Sequence, residues 1–141
     1  MDKLVVEGGK KLAGTVNISG AKNACLPILA ATLLSDDKCV IKNAPALRDI
    51  NTMLRLLKAL GMKVSCDQGK VVVEPTGQRK YLAPYKLVST MRASVCVLGP
   101  LIGKLKQAEV SFPGGCIIGP RPIDLHLKGI GSLGVELKIK K

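Results

Sequence analysis

Cys116 stands in the string Pro113-Gly114-Gly115-Cys116-Ile117-Ile118-Gly119-Pro120, and Arg121 follows directly. The paired glycines let the backbone turn tightly and approach a ligand closely. A thiol in a cationic loop rich in peptide N–H groups has its pKa lowered and becomes usable as a nucleophile or acid. The alternative for Cys116 is a small apolar residue buried in a turn. Lys22, after Ser19-Gly20-Ala21, opens a helical pattern, so its ammonium joins the positive end of a helix, where anions bind. Arg92 follows Ser89-Thr90-Met91 in the same relation. Either cation could instead be a solvated surface residue. Arg121, between Pro120 and Pro122, sits on stiffened backbone suited to bidentate recognition of phosphate or carboxylate. Asp124 and His126 invite a general-base reading, although Asp124 also reads as a helix cap and His126 as a packing position. Together these residues point to a phosphorylated anionic substrate and to acid or covalent chemistry at Cys116.

No metal or cofactor is expected. The five cysteines (Cys25, Cys39, Cys66, Cys96, Cys116) form no CxxC pair and His126 is the one histidine, which does not make a Cys/His zinc site. The glycines match neither the P-loop nor the dinucleotide fingerprint. Cys25, Cys39, Cys66 and Cys96 lie in helix or strand patterns and read as structural. Reduced thiols place the chain in a cytoplasm.

Composition narrows the classes further. In 141 residues, 22 Lys and Arg against 10 Asp and Glu leave a net charge of +12, which calls for an anionic partner. Aromatic residues are only 2%, against modules that stack bases on aromatic platforms. The basic residues are spread evenly along the chain, so nucleic acid is not the expected partner. The longest apolar stretch, residues 24–34, contains Pro27 and falls well short of the roughly 20 residues a bilayer span needs. Met1-Asp2-Lys3 begins a strand pattern, not a signal peptide. A soluble protein with no membrane partner is expected.

The elements that must position these residues repeat. Residues 4–7 and 15–18, around the Gly8-Gly9 break, read as two strands of a hairpin. Residues 21–34 read as a helix, with Pro27 tolerable near its start. Residues 39–41 read as a strand. A helix capped by Asp49 or Asn51 runs to Leu60 and closes at Gly61. Strands at 63–65 and 70–74 flank the Asp67-Gln68-Gly69 turn. Shifting by 73 lays Arg48-Asp49-Ile50-Asn51 over Arg121-Pro122-Ile123-Asp124 and Leu60-Gly61 over Leu133-Gly134. Shifting by 70 lays Lys22 over Arg92 and residues 39–41 over 109–111. This is a repeated β-α-β-α-β-β unit, found by self-similarity alone. The second copy carries the cysteine loop as an insertion. Its last strands would lie past residue 141, so the expectation is an α/β chain truncated within its second repeat. The expected division is a hairpin at 1–20 and a partial domain at 21–141, its repeats at 21–75 and 90–141.

On these residues the sequence resembles the UDP-N-acetylglucosamine enolpyruvyl transferase (1-carboxyvinyltransferase) family of peptidoglycan synthesis. The strings that carry the resemblance are Ile18-Ser19-Gly20-Ala21-Lys22-Asn23-Ala24, Thr90-Met91-Arg92-Ala93-Ser94, Leu98-Gly99-Pro100-Leu101, Pro113-Gly114-Gly115-Cys116 and Arg121-Pro122-Ile123-Asp124-Leu125-His126. The resemblance spans the whole chain and corresponds to the N-terminal third of the family. It implies an inside-out α/β barrel of such repeats. It also implies transfer of the enolpyruvyl group of phosphoenolpyruvate to the 3-hydroxyl of UDP-N-acetylglucosamine, releasing phosphate. Carried over, Lys22 and Asn23 are phosphoenolpyruvate ligands, and Arg92, Arg121, Pro122, Ile123, Asp124 and Leu125 hold the nucleotide sugar. Cys116 is the proton donor that forms a covalent adduct, and the thiol that fosfomycin alkylates. The sister family acting on shikimate 3-phosphate lacks this cysteine loop, which argues for the sugar. In the family the first twenty or so residues pair with a second domain, and the aspartate that deprotonates the sugar hydroxyl lies beyond the matched part. Pro120 departs from the family, where a small residue is usual. The chain alone is therefore expected to be incomplete and inactive. The alternative is a non-catalytic fragment that binds nucleotide sugar or self-associates through an exposed sheet edge.

Overall fold

A computed structural model describes residues 3–112, 114 and 123–139. The first helix, α1 (Lys22–Ala31), buries Cys25, Leu26, Leu29 and Ala30 and runs into a 3-10 turn at Thr32–Leu34. Pro27 has no N–H to give the carbonyl of Asn23, one turn back, yet the helix continues because its apolar face packs on α2 (Arg48–Ala59). Helix α2 carries Ile50, Met53, Leu54, Leu56 and Leu57 at helical spacing, all buried. Its N-cap is Leu47, not Asp49 or Asn51. Gly61 follows the C-cap Leu60 at φ +89°, the left-handed setting that ends helices at glycine.

Three strands lie beside these helices: β1 (Cys39–Ile41), β2 (Met62–Asp67) and β3 (Lys70–Pro75). β3 is central and antiparallel to both neighbours, with Val73 opposite Cys39 and Val64. Val71 and Val73 point to one face and are fully buried, the period-2 alternation of a half-covered sheet. The β2–β3 turn places Gln68 at φ 43° and Gly69 at φ 76°, a two-residue turn whose twist matches the strands.

The second unit comprises β4 (Leu82–Ala83), α3 (Tyr85–Val88), a 3-10 helix at Arg92–Val97, α4 (Leu98–Leu105), β5 (Glu109–Val110) and α5 (Asp124–Ser132). The shift of 70 superposes the starts of α1 and of the Arg92 helix, and β1 on β5. The shift of 73 superposes the ends of α2 and α5, where Gly134 repeats Gly61 at φ +90°. The copies differ in pairing: β5 runs parallel to β4, whereas β1 pairs antiparallel with β3. Asp36 joins the units by pairing with Arg79 (3.0 Å) and with Lys104 of α4. Arg79 also donates to the carbonyl of Ser35.

Two further expectations fail beside the N-cap. Residues 3–20 carry no strand, and Leu4, Val5, Val6, Leu12, Val16 and Ile18 are all exposed. A two-stranded hairpin needs a further strand or a helix to cover its apolar face, and among the described residues no strand pairs with residues 3–20. His126, aligned with the fully buried Met53, is exposed, because α5 has no buried residue. Among the described residues no helix is long and apolar enough to cross a membrane.

Candidate functional site

Lys22 is the first residue of α1, after an extended N-cap at Ala21 (φ −76°, ψ 126°). The N–H groups of Ala24 and Cys25 turn back to the Ala21 carbonyl, and no side chain caps this end. Lys22 reaches across to α2, where its Nζ lies 2.8 Å from Oδ2 of Asp49. Asp49 lies in the first turn of α2, where a carboxylate is favoured by the helix dipole. The pair is roughly 40% exposed on both sides, so it faces solvent. Two helix starts therefore meet at an accessible ion pair. Asn23 adjoins it on α1, also exposed.

Gly20 sets this meeting. A Cβ built on it would lie 2.0 Å from the Asn43 carbonyl oxygen, so only glycine lets the segment entering α1 touch that backbone. Asn43 is itself left-handed at φ 58°, and the next residue, Ala44, donates its N–H to the Gly69 carbonyl at 2.8 Å. The loop that receives Gly20 is thus anchored to the β2–β3 turn.

Arg92 opens the 3-10 helix after an extended Met91 and is half-buried. That helix packs against α1, so the two cation-bearing elements are neighbours. Ser94, fully buried, fixes its first turn by donating to the carbonyls of Val88 (3.0 Å) and Met91 (2.5 Å). Gly114 repeats the device of Gly20: a Cβ there would lie 2.2 Å from the Ser89 carbonyl oxygen. The chain two residues before Cys116 is therefore seated on the segment that leads into Arg92. Ile123 is half-buried, and Asp124 and Leu125 are exposed at the start of α5. Cys116, Arg121 and Pro122 lie outside the described residues.

Burial pushes the Cys25 thiol up, with a smaller contribution from Cys66, and burial likewise raises Cys96. Raised thiols are poor nucleophiles, and both sit among core residues. Among the described residues no group of three His, Cys, Asp or Glu could hold a metal ion. Sequence reasoning missed Asp49 as the partner of Lys22. Asp49 sits where an N-cap is expected, and nothing local distinguishes a cap from a carboxylate aimed at another helix.

The profile of EPSP synthase (3-phosphoshikimate 1-carboxyvinyltransferase) matches residues 6–141. The chain belongs to the EPSP synthase family. Within the family it is 51% identical over 140 residues to the UDP-N-acetylglucosamine 1-carboxyvinyltransferase of Desulfosudis oleivorans, covering 99% of this chain and 34% of that protein. The enzyme of the same name from Yersinia pestis is 49% identical over 141 residues, covering all of this chain and 34% of its own length. The chain thus spans about a third of the length of these relatives. The crystal structure of the enolpyruvyl transferase NikO from Streptomyces tendae superposes with a TM-score of 0.79 at 22% identity, over 95% of this chain and 29% of that one. The mixed α/β architecture is therefore an enolpyruvyl transferase fold.

Proposed function

We propose that this EPSP synthase-family chain supplies the phosphoenolpyruvate and nucleotide-sugar half-site of a UDP-N-acetylglucosamine 1-carboxyvinyltransferase in peptidoglycan synthesis. The observation that carries this reading is the Lys22–Asp49 pair: an accessible ammonium at a helix start, next to Asn23, in a chain half identical to enzymes of that name. A phosphate arriving there exchanges the Asp49 carboxylate for its own oxygens on Lys22 and gains the positive end of the α1 dipole. Arg92 and Arg121 hold the nucleotide sugar, with Pro122, Ile123, Asp124 and Leu125 along its length.

In the proposed reaction the 3-hydroxyl oxygen of the sugar bonds to C2 of phosphoenolpyruvate while C3 takes a proton from Cys116. The hydroxyl proton leaves to a base outside this chain. A C3 proton is then lost, the C2–O bond to phosphate breaks, and the enol ether and phosphate are released. Lys22 and Arg121 act by holding the phosphate as charge moves onto it. Both substrates are small polar anions and the thiol must stay reduced, which supports a soluble cytoplasmic setting.

The test is phosphoenolpyruvate binding followed by nuclear magnetic resonance, with phosphate release measured in parallel after adding UDP-N-acetylglucosamine. The expected result is phosphoenolpyruvate binding that weakens in Lys22→Ala. Absence of binding by the folded chain, or binding indifferent to Lys22, overturns the proposal. Release abolished by Cys116→Ser makes the chain catalytic as it stands. Binding without release is the second reading, in which the chain holds its ligands and the chemistry needs further residues.

A further inference from the structure

A second cluster of cations lies between α2 and α3. A cleft of about 530 Å³ opens between α2 and α3, lined by Arg48, Asn51, Thr52, Arg55, Lys86 and Thr90 over an apolar floor that includes Leu47 and Leu87. Positions 48, 51, 52 and 55 are one stripe of a helix, and Lys86 faces them from α3. Three cations line the cleft and no acid does. Among the described residues none of the three has an ion-pair partner, and the nearest carboxylate along α2, Asp49, is taken by Lys22.

The repeat gives this cleft a second, independent argument. The shift of 73 lays Arg48 over Arg121, Asn51 over Asp124 and Arg55 over Lys128. The first copy thus keeps both cations of the second and has a neutral amide where the second has Asp124, while its own acid, Asp49, stands at the place of Pro122 and is paired with Lys22.

We propose that this cleft is a second anion site, distinct from the Lys22 site, and that it takes a polyphosphate. Three positive charges suit a di- or triphosphate better than a single carboxylate, and the two guanidinium forks match phosphate oxygens bidentately. The volume falls within the range of about 300–1,000 Å³ usual for small-ligand sites. No aromatic residue lines it for base stacking, so the phosphate chain is what it recognises. Free pyrophosphate and the diphosphate of a nucleotide share that chemistry.

The experiment is an amide resonance titration of the chain with inorganic pyrophosphate, with UDP, and with acetate as control. Pyrophosphate should shift residues 48–55 and 86–90, acetate should not, and added salt should weaken the binding. UDP binding more tightly than pyrophosphate would assign a nucleotide source, and equal binding a free phosphate source. Replacing Arg48, Arg55 and Lys86 together with Ala should raise the dissociation constant by about tenfold or more. All three side chains are exposed, and the single variants Arg55→Ala and Lys86→Ala carry the same test at smaller amplitude. Lys22→Ala, which disables the proposed phosphoenolpyruvate site, should leave pyrophosphate binding intact. Absence of pyrophosphate shifts at residues 48–55 and 86–90, unchanged affinity in the triple variant, or loss of those shifts in Lys22→Ala would overturn the proposal.

Discussion

Gly20→Ala tests how the Lys22 site is built. The added Cβ would lie 2.0 Å from the Asn43 carbonyl oxygen, where ordinary contact begins at 3.4 Å. Relief therefore needs a displacement of more than an ångström between two backbone segments. Neither side yields readily. Asn43 is held left-handed and tied through Ala44 to the β2–β3 turn, while Gly20 leads into a helix packed on α2. Overpacking of this kind costs about 1–3 kcal/mol. The lost freedom of the unfolded chain returns about 0.4–1 kcal/mol. The net is a loss of about 1–2 kcal/mol, or about 3–7 °C in Tm for a chain of this size. Because Lys22 and Asn23 follow within three residues, their backbone moves too, and phosphoenolpyruvate affinity should fall along with stability.

Gly8→Ala is the internal control, since a Cβ there meets nothing within 4 Å. Its Tm and ligand affinity should match those of the parent. Thermal denaturation by circular dichroism and a phosphoenolpyruvate titration on both variants decide the matter. If Gly20→Ala melts with Gly8→Ala, the close approach at Asn43 is not what seats α1. If it melts lower yet binds as well as the parent, the contact stabilises the fold without setting Lys22.

Other expectations follow from particular contacts. Gly61→Ala should destabilise more than Gly20→Ala, by about 2–4 kcal/mol in urea unfolding, because a left-handed φ of +89° and a 2.2 Å approach to the Gln78 oxygen act together. The Lys104 hydrogen bond, and then that of Arg79, hold the Asp36 carboxyl below its ordinary value of 3.8. Since the folded form is the stronger acid, the contribution of Asp36 is present above that value and is lost as pH falls through the lower folded one. The Tm difference between parent and Asp36→Asn should therefore shrink in that acid window and stay constant at neutral pH. Iodoacetamide at neutral pH, read by mass spectrometry, should label the exposed Cys66 ahead of Cys25 and Cys96, whose thiols burial pushes up. Equal labelling of the native protein would contradict that burial.

The repeat was legible because it rests on local chemistry. The Leu60-Gly61 and Leu133-Gly134 pairs both end helices with a left-handed glycine, and the Gln68-Gly69 turn announces itself by composition. Residues 4–7 and 15–18 have strand composition but no strand, because a strand depends on a partner that composition cannot name. β4 and α3 were not anticipated: two and four residues leave no periodicity to read. His126 was expected to pack like Met53, yet the helix beneath it buries nothing. At the candidate site the cations Lys22 and Arg92 could be picked out from spacing, since helix starts are local. The Asp49 partner could not, because the contact joins residues 27 apart.

The two closest glycine approaches that precede candidate residues follow one plan, and that plan carries a last prediction. Gly20 rests on Asn43 two residues before Lys22, and Asn43 leads into the α2 start that supplies Asp49. Gly114 rests on Ser89 two residues before Cys116, and Ser89 leads into Arg92. In each copy, backbone meets backbone without a Cβ, and a chemical group follows within one turn on both sides. The first contact yields an ion pair between its two followers. By the same logic the second seats Gly114 on the segment that leads into the cationic Arg92, and the expectation is that Cys116 alkylates faster than Cys66. Gly114→Ala, with its Cβ 2.2 Å from the Ser89 oxygen, must move residue 114 off that carbonyl. Its Cys116 alkylation rate at neutral pH should fall toward that of Cys66. A Cys116 rate unchanged by Gly114→Ala would show that the Ser89 contact does not govern the thiol, and the shared plan of the two copies would fail at its second instance.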